Sequence, residues 1–108
     1  MAPVYLIASY GITDQDRYEQ DYVPGVMRTL AAAGGEVTVA TGSATTIEGV
    51  PSGHTVVLRF PSYMAFRSWY DSSEYAVLHQ LRLATTAHGT AVLANEFRPG
   101  DMELTRDE

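Results

Sequence analysis

The feature that most constrains this sequence is a stretch near its middle in which a strand pattern turns directly into a helix pattern. The run from Val56 to Phe60 is β-prone, and Pro61 ends it because proline lacks the N–H that a sheet ladder needs. Ser62 is a predicted helix N-cap, since its hydroxyl can accept a hydrogen bond from an N–H of the first turn. The helical face that follows is apolar and aromatic, with Ala65, Phe66, Trp69 and Tyr70.

This helix is predicted to break at Asp71 and to restart at once. Ser72 or Ser73 can cap a second helix, and Glu74 lies in its first turn, near the positive end of the helix dipole. The second part continues through Tyr75, Leu78, His79 and Arg82. Residues 60–82 therefore predict a bent, two-part helix that follows a strand.

The rest of the chain alternates strand and helix patterns around this stretch. A first strand is predicted at 4–10, and a helix then begins at Thr13 or Asp14, kinks or restarts at Pro24 and ends near Ala33, before Gly34. Further strands are predicted at 36–41, 55–60 and 90–97, with loops at 42–53 and around His88-Gly89. The order β-α-β-β-α-β is that of the α+β ferredoxin-like fold, in which a four-stranded antiparallel sheet carries two helices on one face.

Both faces of the first strand are mostly apolar. One set contains Val4, Leu6, Ala8 and Tyr10, and the other contains Tyr5, Ile7 and Ser9. Such a strand is covered on both sides, and the helices supply only one cover. At 108 residues the chain also has a large surface for its volume. We therefore expect a homodimer that forms through the open face of the sheet.

The sequence resembles the DUF1330 family of the ferredoxin-like dimeric α/β-barrel superfamily. The resemblance is carried by Phe60-Pro61-Ser62, by Trp69-Tyr70-Asp71-Ser72, and by Glu74-Tyr75 and Arg82. Upstream it extends to Asp14, Tyr18, Tyr22, Pro24 and Gly34-Gly35. The resemblance implies a dimeric α/β barrel, in which two sheets meet face to face across a two-fold axis. It also implies relatives such as cofactor-free monooxygenases, lactone isomerases and polyketide cyclases.

Composition excludes several classes of partner. The chain carries seven Lys+Arg, all of them arginine, against thirteen Asp+Glu, for a formal charge of −6. A nucleic acid or an anionic membrane surface would be bound through a basic patch, and none is present. The absence of cysteine excludes disulfides and thiolate sites. With no targeting pattern at the N-terminus, we expect a cytoplasmic protein with one domain at 1–100 and an acidic tail at 101–108.

His79 and Arg82 are the candidate catalytic residues, because both lie on the second part of the bent helix. A neutral imidazole exchanges protons near pH 7, and a guanidinium can hold a carboxylate or an enolate with two hydrogen bonds. The alternative for His79 is a position facing solvent or the edge of the core. The alternative for Arg82 is a structural salt bridge to Asp14 or Asp16 of the first helix.

Four further residues are candidates for substrate binding: Tyr5, Arg59, Trp69 and Tyr75. Tyrosine hydroxyls can donate to a ligand oxyanion, but partly buried ones usually bond locally. Trp69 is equally expected as core, since a helix facing a sheet needs bulk. Arg59 interrupts an apolar strand, so it either lines a cavity, is buried with a partner, or lies at an edge with only its stem covered.

No metal or cofactor motif occurs. No two of His54, His79 and His88 have the i, i+4 spacing of a helical metal site, and no glycine-rich nucleotide loop is present. We therefore expect neither a metal nor an organic cofactor. The predicted function is a small cofactor-independent enzyme, or enzyme-like domain, for a small, largely apolar metabolite that is anionic or enolisable. The alternative is a non-catalytic small-molecule-binding or structural homodimer.

Overall fold

The computed structural model describes residues 2–50 and 53–100. Strand β1 (Val4–Ile12) leads into a first helical region made of α1 (Gln15–Arg17), a π-helical segment (Tyr18–Tyr22) and α2 (Val23–Ala32). Strands β2 (Glu36–Thr41) and β3 (His54–Phe60) follow, then helices α3 (Tyr63–Tyr70) and α4 (Ser73–Thr85), and finally β4 (Thr86–Asn95).

The four strands form one antiparallel sheet in the order β2-β3-β1-β4. The helices pack on one face, where the buried side chains of the sheet are Val4, Ala8, Tyr10, Leu58 and Phe60. They meet buried side chains from every helical region except the short α1, among them Tyr22, Leu30, Phe66, Trp69 and Tyr75. The predicted ferredoxin-like α+β fold is confirmed.

The bent two-part helix is formed by two serine caps. The Ser62 hydroxyl accepts a hydrogen bond from the Ala65 N–H at 3.1 Å, and the Ser72 hydroxyl accepts one from the Tyr75 N–H at 3.0 Å. Each serine thereby satisfies a donor that the first turn of a helix leaves unpaired. The sequence left Ser72 and Ser73 as alternatives for the second cap, and the structure assigns it to Ser72.

The first helical region is irregular just before Pro24. The predicted cap at Asp14 is present, since its carboxylate accepts from the Arg17 N–H. Pro24 lies in the first turn of α2, where a missing N–H costs little, and the irregularity is the π-helical segment that precedes it. Widening the helix here buries both Tyr18 and Tyr22. The region ends as predicted, with Gly34 in the left-handed conformation at φ 76°.

Strand β4 differs from its prediction. It starts at Thr86, immediately after α4, and ends at Asn95. The predicted loop at His88-Gly89 is instead a bulge within the strand, where the pairing with β1 shifts between Ser9 and Gly11. His88 has φ 56°, a left-handed backbone conformation that is typical of turns, as the sequence at His88-Gly89 predicted. The pairing of β4 with β1 nevertheless continues on both sides of it.

The open face of the sheet is ordered in three rows across all four strands. The charged row contains Glu36, Arg59, Tyr5 and Ala94; the aliphatic row contains Val39, Val57, Ile7 and Val92; the hydroxyl row contains Thr41, Thr55, Ser9 and Thr90. Three members of the aliphatic row are 39–57% exposed. Within the described residues, this face has no helix over it.

Two predicted features fall partly or wholly outside the described residues. The acidic tail at 101–108 lies outside them, and so do residues 51–52 of the loop predicted at 42–53. None of the helices in the part that the structure describes is long and apolar enough to cross a membrane.

Candidate functional site

A cavity of about 330 Å³ lies between the first helical region and strands β2 and β3. Its wall is mostly apolar or aromatic: Tyr10, Tyr18, Tyr22, Val23, Val26, Met27, Val37, Ala40, Val56 and Leu58. Its polar residues are Gln15, Glu19 and His54. A concave, mainly apolar space with a few polar groups is the usual form of a small-molecule site. We call it the main cavity.

Four buried tyrosines from three elements meet beside this cavity, and Tyr10, Tyr18 and Tyr22 line it. Tyr10 comes from β1, Tyr18 and Tyr22 from the π-helical segment, and Tyr75 from α4. The hydroxyls of Tyr10 and Tyr18 are 2.5 Å apart, and those of Tyr22 and Tyr75 are 3.1 Å apart. We call these four residues the tyrosine cluster. Their hydroxyls are satisfied by one another, as buried polar groups require.

Burial favours the neutral form of three phenols of this cluster, those of Tyr10, Tyr18 and Tyr22. It raises the pKa values of Tyr10, Tyr18 and Tyr22 above the ordinary value, because a buried phenolate loses its hydration. The positive charge of Arg82 acts in the opposite direction on all three pKa values, but it is the weaker influence. The cluster therefore presents hydroxyl donors, with a nearby cation that favours negative charge on oxygen.

Arg82 lies against the tyrosine cluster and has no acidic partner there. Its guanidinium carbon is 5.6 Å from the centroid of the Tyr10 ring. Burial acts to lower the pKa of Arg82, but the phenol oxygens of Tyr75 and Tyr22 outweigh it, so the pKa is raised. Ion pairs of the described residues engage Arg59 and Arg67, and no Asp or Glu among those residues pairs with Arg82. The alternative salt bridge to Asp14 or Asp16 is thus not formed within the described chain.

A small void of about 30 Å³ separates Arg82 from the main cavity. Its lining includes Trp69, Tyr75 and Arg82, and it shares Tyr10, Tyr22, Val56 and Leu58 with the main cavity. A space of this volume holds one water-sized group. The two spaces therefore adjoin through shared side chains, and Arg82 lies behind the tyrosine cluster as seen from the main cavity.

Trp69 and His79 flank this arrangement. Trp69 is 2% exposed, its indole N–H donates to the Thr29 hydroxyl at 3.1 Å, and its ring lies 4.0 Å from that of Tyr75 between centroids. His79 stacks on the Tyr75 ring at 5.8 Å. Burial, and secondarily the charge of Arg82, lower the pKa of His79, which favours the neutral imidazole. His79 is half-buried beside the cluster and lines neither the main cavity nor the void.

Tyr5 and Arg59 lie on the other side of the sheet. They are cross-strand neighbours in the charged row of the open face. The Tyr5 hydroxyl donates to Glu96 at 2.7 Å, and Arg59 lies 3.6 Å from both Glu36 and Glu96. The prediction that Tyr5 and Arg59 line a pocket between sheet and helices is therefore wrong for a single protomer. Alternate residues of a strand face opposite ways, and these two face away from the helices. Of the six predicted site residues, the structure brings together Trp69, Tyr75, His79 and Arg82.

The sequence prediction missed Tyr10, Tyr18, Tyr22, Glu19 and His54 as site residues. A signal for the tyrosines was available, since Tyr10 belongs to the inner set of β1 and Tyr18 and Tyr22 share a helical face. Aromatic residues in such positions are normally core, so this signal did not distinguish a site. His54 was considered only for metal-site spacing, and the packing of β3 under the first helical region is what puts it beside Tyr10 and Tyr18.

These features define a ferredoxin-like α+β domain with an apolar cavity between its sheet and helices. The chain belongs to the DUF1330 family, a domain of unknown function, whose pattern matches residues 3–97. No group of three or more potential metal ligands occurs among the residues that the structure describes. None of the curated proteins matches the chain significantly.

Solved structures share the fold at low sequence identity. A protein of unknown function from Rhodopseudomonas palustris aligns with a TM-score of 0.68 at 16% identity, over 91% of this chain and 85% of that one. A dimeric ferredoxin-like protein of unknown function from Thermobifida fusca gives 0.62 at 18%, over 88% and 92%. SnoaB, a cofactor-independent oxygenase from Streptomyces nogalater, gives 0.65 at 11%, over 91% and 96%. At such identities the likeness establishes the fold and no more.

Proposed function

We propose that this protein is a small cofactor-independent enzyme that binds a largely apolar metabolite in the main cavity and performs acid–base chemistry on an enolisable group. The observation that carries the proposal is the junction of an apolar cavity with buried phenol donors and a cation that has no acidic partner among the described residues. A partly buried charge without an acidic partner costs stability, which supports a functional role for Arg82.

The chemistry follows from where negative charge would develop. When an enolisable ketone loses an α-proton, its oxygen becomes negative. The hydroxyls of Tyr22 and Tyr75 and the guanidinium of Arg82 are donors that stabilise such an oxygen, most strongly where water is excluded. In this proposal Trp69 lines the void beside these groups, and His79, which stacks on the Tyr75 ring outside both spaces, is the residue that exchanges protons next to the cluster. The fold shared with a cofactor-independent oxygenase supports the scaffold for such a role.

The alternative is a non-catalytic binding domain, and one observation favours it. The hydroxyls of the tyrosine cluster already bond to one another, and neither the main cavity nor the void contains a nucleophile with an adjacent base. A binder would hold its ligand without exchanging any proton. The two functions therefore differ in a measurable reaction.

We also propose that two copies associate through the open faces of their sheets. The aliphatic row supplies the apolar centre of this interface, and a dimeric relative with the same fold supports the arrangement. Tyr5 and Arg59, which the sequence assigned to the substrate, would then lie at the interface. Their bonds to Glu36 and Glu96 hold them in place on that face.

The test uses 2-tetralone, a compact apolar ketone with acidic α-protons. We expect the protein to accelerate deuterium exchange at these positions in D₂O, followed by NMR. Arg82→Met should slow the exchange by roughly 10- to 100-fold, the worth of a hydrogen bond to a charged group, and leave the melting temperature nearly unchanged. Arg67→Met, which removes an exposed arginine paired with Asp71, is the control.

A second variant tests the location of the ligand. Ala40 is exposed at the edge of the main cavity, so the larger side chain of Ala40→Phe should fill the cavity without overpacking the buried core. Ala76→Phe makes the same change on the exposed side of α4. Binding that Ala40→Phe abolishes, without any catalysed exchange, would support the binding domain. Binding unaffected by Ala40→Phe would place the ligand elsewhere and refute both functions.

A further inference from the structure

A second, more polar pocket of about 400 Å³ adjoins the main cavity at the solvent side, and we call it the polar mouth. Its lining residues are Ile12, Gln15, Glu19, Gly42, Gly53 and His54. Gln15, Glu19 and His54 line both the opening and the main cavity, so a ligand that enters here passes all three. The opposite, inner end of the cavity is closed by Tyr10 and Tyr22.

The mouth carries a negative charge and no positive one within the described chain. Glu19 is the acid at the opening, and the Gln15 side-chain amide donates to its carboxylate across one turn of helix at 2.5 Å. No Lys or Arg lines the main cavity or its mouth within the described chain. The whole chain adds to the same sign, with a formal charge of −6. An incoming carboxylate therefore meets a negative group and no compensating cation.

His54 completes the mouth as a neutral group. Its ring stacks against Tyr10 at 5.8 Å and meets Tyr18 edge-on at 5.6 Å. Burial lowers the pKa of His54, which favours the uncharged imidazole at neutral pH. Beside it, the Glu19 carboxylate can accept a hydrogen bond. The mouth thus offers acceptors to a ligand hydroxyl and no positive charge to an anion.

We propose that Glu19 makes the main cavity selective for uncharged ligands that carry a hydrogen-bond donor, and that it excludes carboxylates. This inference rests on the proposed function, because it concerns the ligand of the same cavity. It changes the substrate class that the sequence predicted. The ligand enters neutral, and any negative charge on its oxygen arises inside, next to the tyrosine cluster and Arg82.

The experiment compares two probes of nearly equal shape, 2-naphthol and 2-naphthoate. Near pH 7 the first is a neutral hydroxyl donor and the second is an anion. Binding of each is measured by fluorescence titration. We expect the intact protein to bind 2-naphthol about tenfold more tightly than 2-naphthoate, since two like charges near a surface repel by about that factor.

Glu19→Gln keeps the length of the side chain and its bond to Gln15 while removing the charge. It should bring the two affinities within about threefold by strengthening the binding of 2-naphthoate. Asp21→Asn is the matched control, because it removes the same charge from the same helical region at an exposed position that does not line the cavity. This control should leave the ratio of the two affinities unchanged.

Three other results of these titrations would contradict the selectivity inference. If 2-naphthol binds in a manner that Ala40→Phe abolishes, but Glu19→Gln leaves the ratio unchanged, the cavity is a ligand site and the selectivity inference fails alone. If 2-naphthoate binds better than 2-naphthol and depends on Arg82, anions enter by the separate cleft of about 260 Å³ beside β4, and the inference is overturned. If neither probe binds, the selectivity inference fails, and deuterium exchange of 2-tetralone decides the proposed function separately.

Discussion

At the scale of single residues, burial decides which chemistry each tyrosine can do. Tyr10, Tyr18 and Tyr22 are at most 7% exposed, and a phenolate in such a place is poorly hydrated. Their raised pKa values mean that they act as donors and resist ionisation. The same property links their ionisation to the stability of the fold.

We predict that these tyrosines resist alkaline titration. Because their pKa values are higher in the folded state than the ordinary value near 10, stability is complete below about pH 10 and is lost as the pH rises above it. Absorbance near 295 nm, recorded with circular dichroism, should show that at least three of the seven tyrosines ionise only as the protein unfolds. Complete reversible ionisation of all seven with the fold intact would contradict this.

The residues of the candidate site were only partly predictable from the sequence. Trp69, Tyr75, His79 and Arg82 were found because they share one helical pattern, which is local information. Tyr5 and Arg59 were assigned to the wrong face for a pocket between sheet and helices, because an apolar strand with two similar sets does not show which set faces the helices. Glu19 and His54 come together only through packing of distant elements.

At the scale of elements, local chemistry sets the boundaries wherever a cap or a glycine fixes the backbone. Ser62, Ser72 and Gly34 end or begin helices as the sequence predicts. The π-helical segment and the bulge in β4 were not predicted, since the backbone of each depends on its packing against a neighbouring element. The bulge at His88 lies opposite β1, and a Cβ on Gly89 would come within 3.1 Å of the Tyr10 Cβ.

The two adjacent serines at the start of α4 provide a test of capping. Ser72→Ala should lower the free energy of unfolding by about 1 kcal/mol, because the Tyr75 N–H loses its acceptor. Ser73→Ala should change it by less than about 0.5 kcal/mol, since among the described residues the Ser73 hydroxyl bonds to the exposed Glu74 side chain alone. Urea denaturation measures both. Equal losses for the two variants would show that the cap is shared.

At the scale of the whole molecule, both the sequence and the structure indicate that the open face of the sheet is a surface still to be covered. The sequence predicted that β1 is covered on both sides, and the structure covers only one within the described chain. The three rows give the other side a defined pattern: an aliphatic centre flanked by a charged row and a hydroxyl row. An apolar centre with a polar rim is the usual anatomy of a stable interface.

We predict that Ile7→Glu separates the proposed dimer. Ile7 lies in the aliphatic row between Val57 and Val92, so a two-fold axis through this face would bury its charge among apolar side chains of both copies. Light scattering at micromolar concentration should give the intact protein twice the protomer mass of 11.8 kDa, and the variant a single protomer mass. Val77→Glu is the control, because Val77 is 70% exposed on α4, away from the open face. An intact protein that is monomeric at this concentration would refute the interface, since two copies that bury upwards of about 1,000 Å² of such a surface should remain associated.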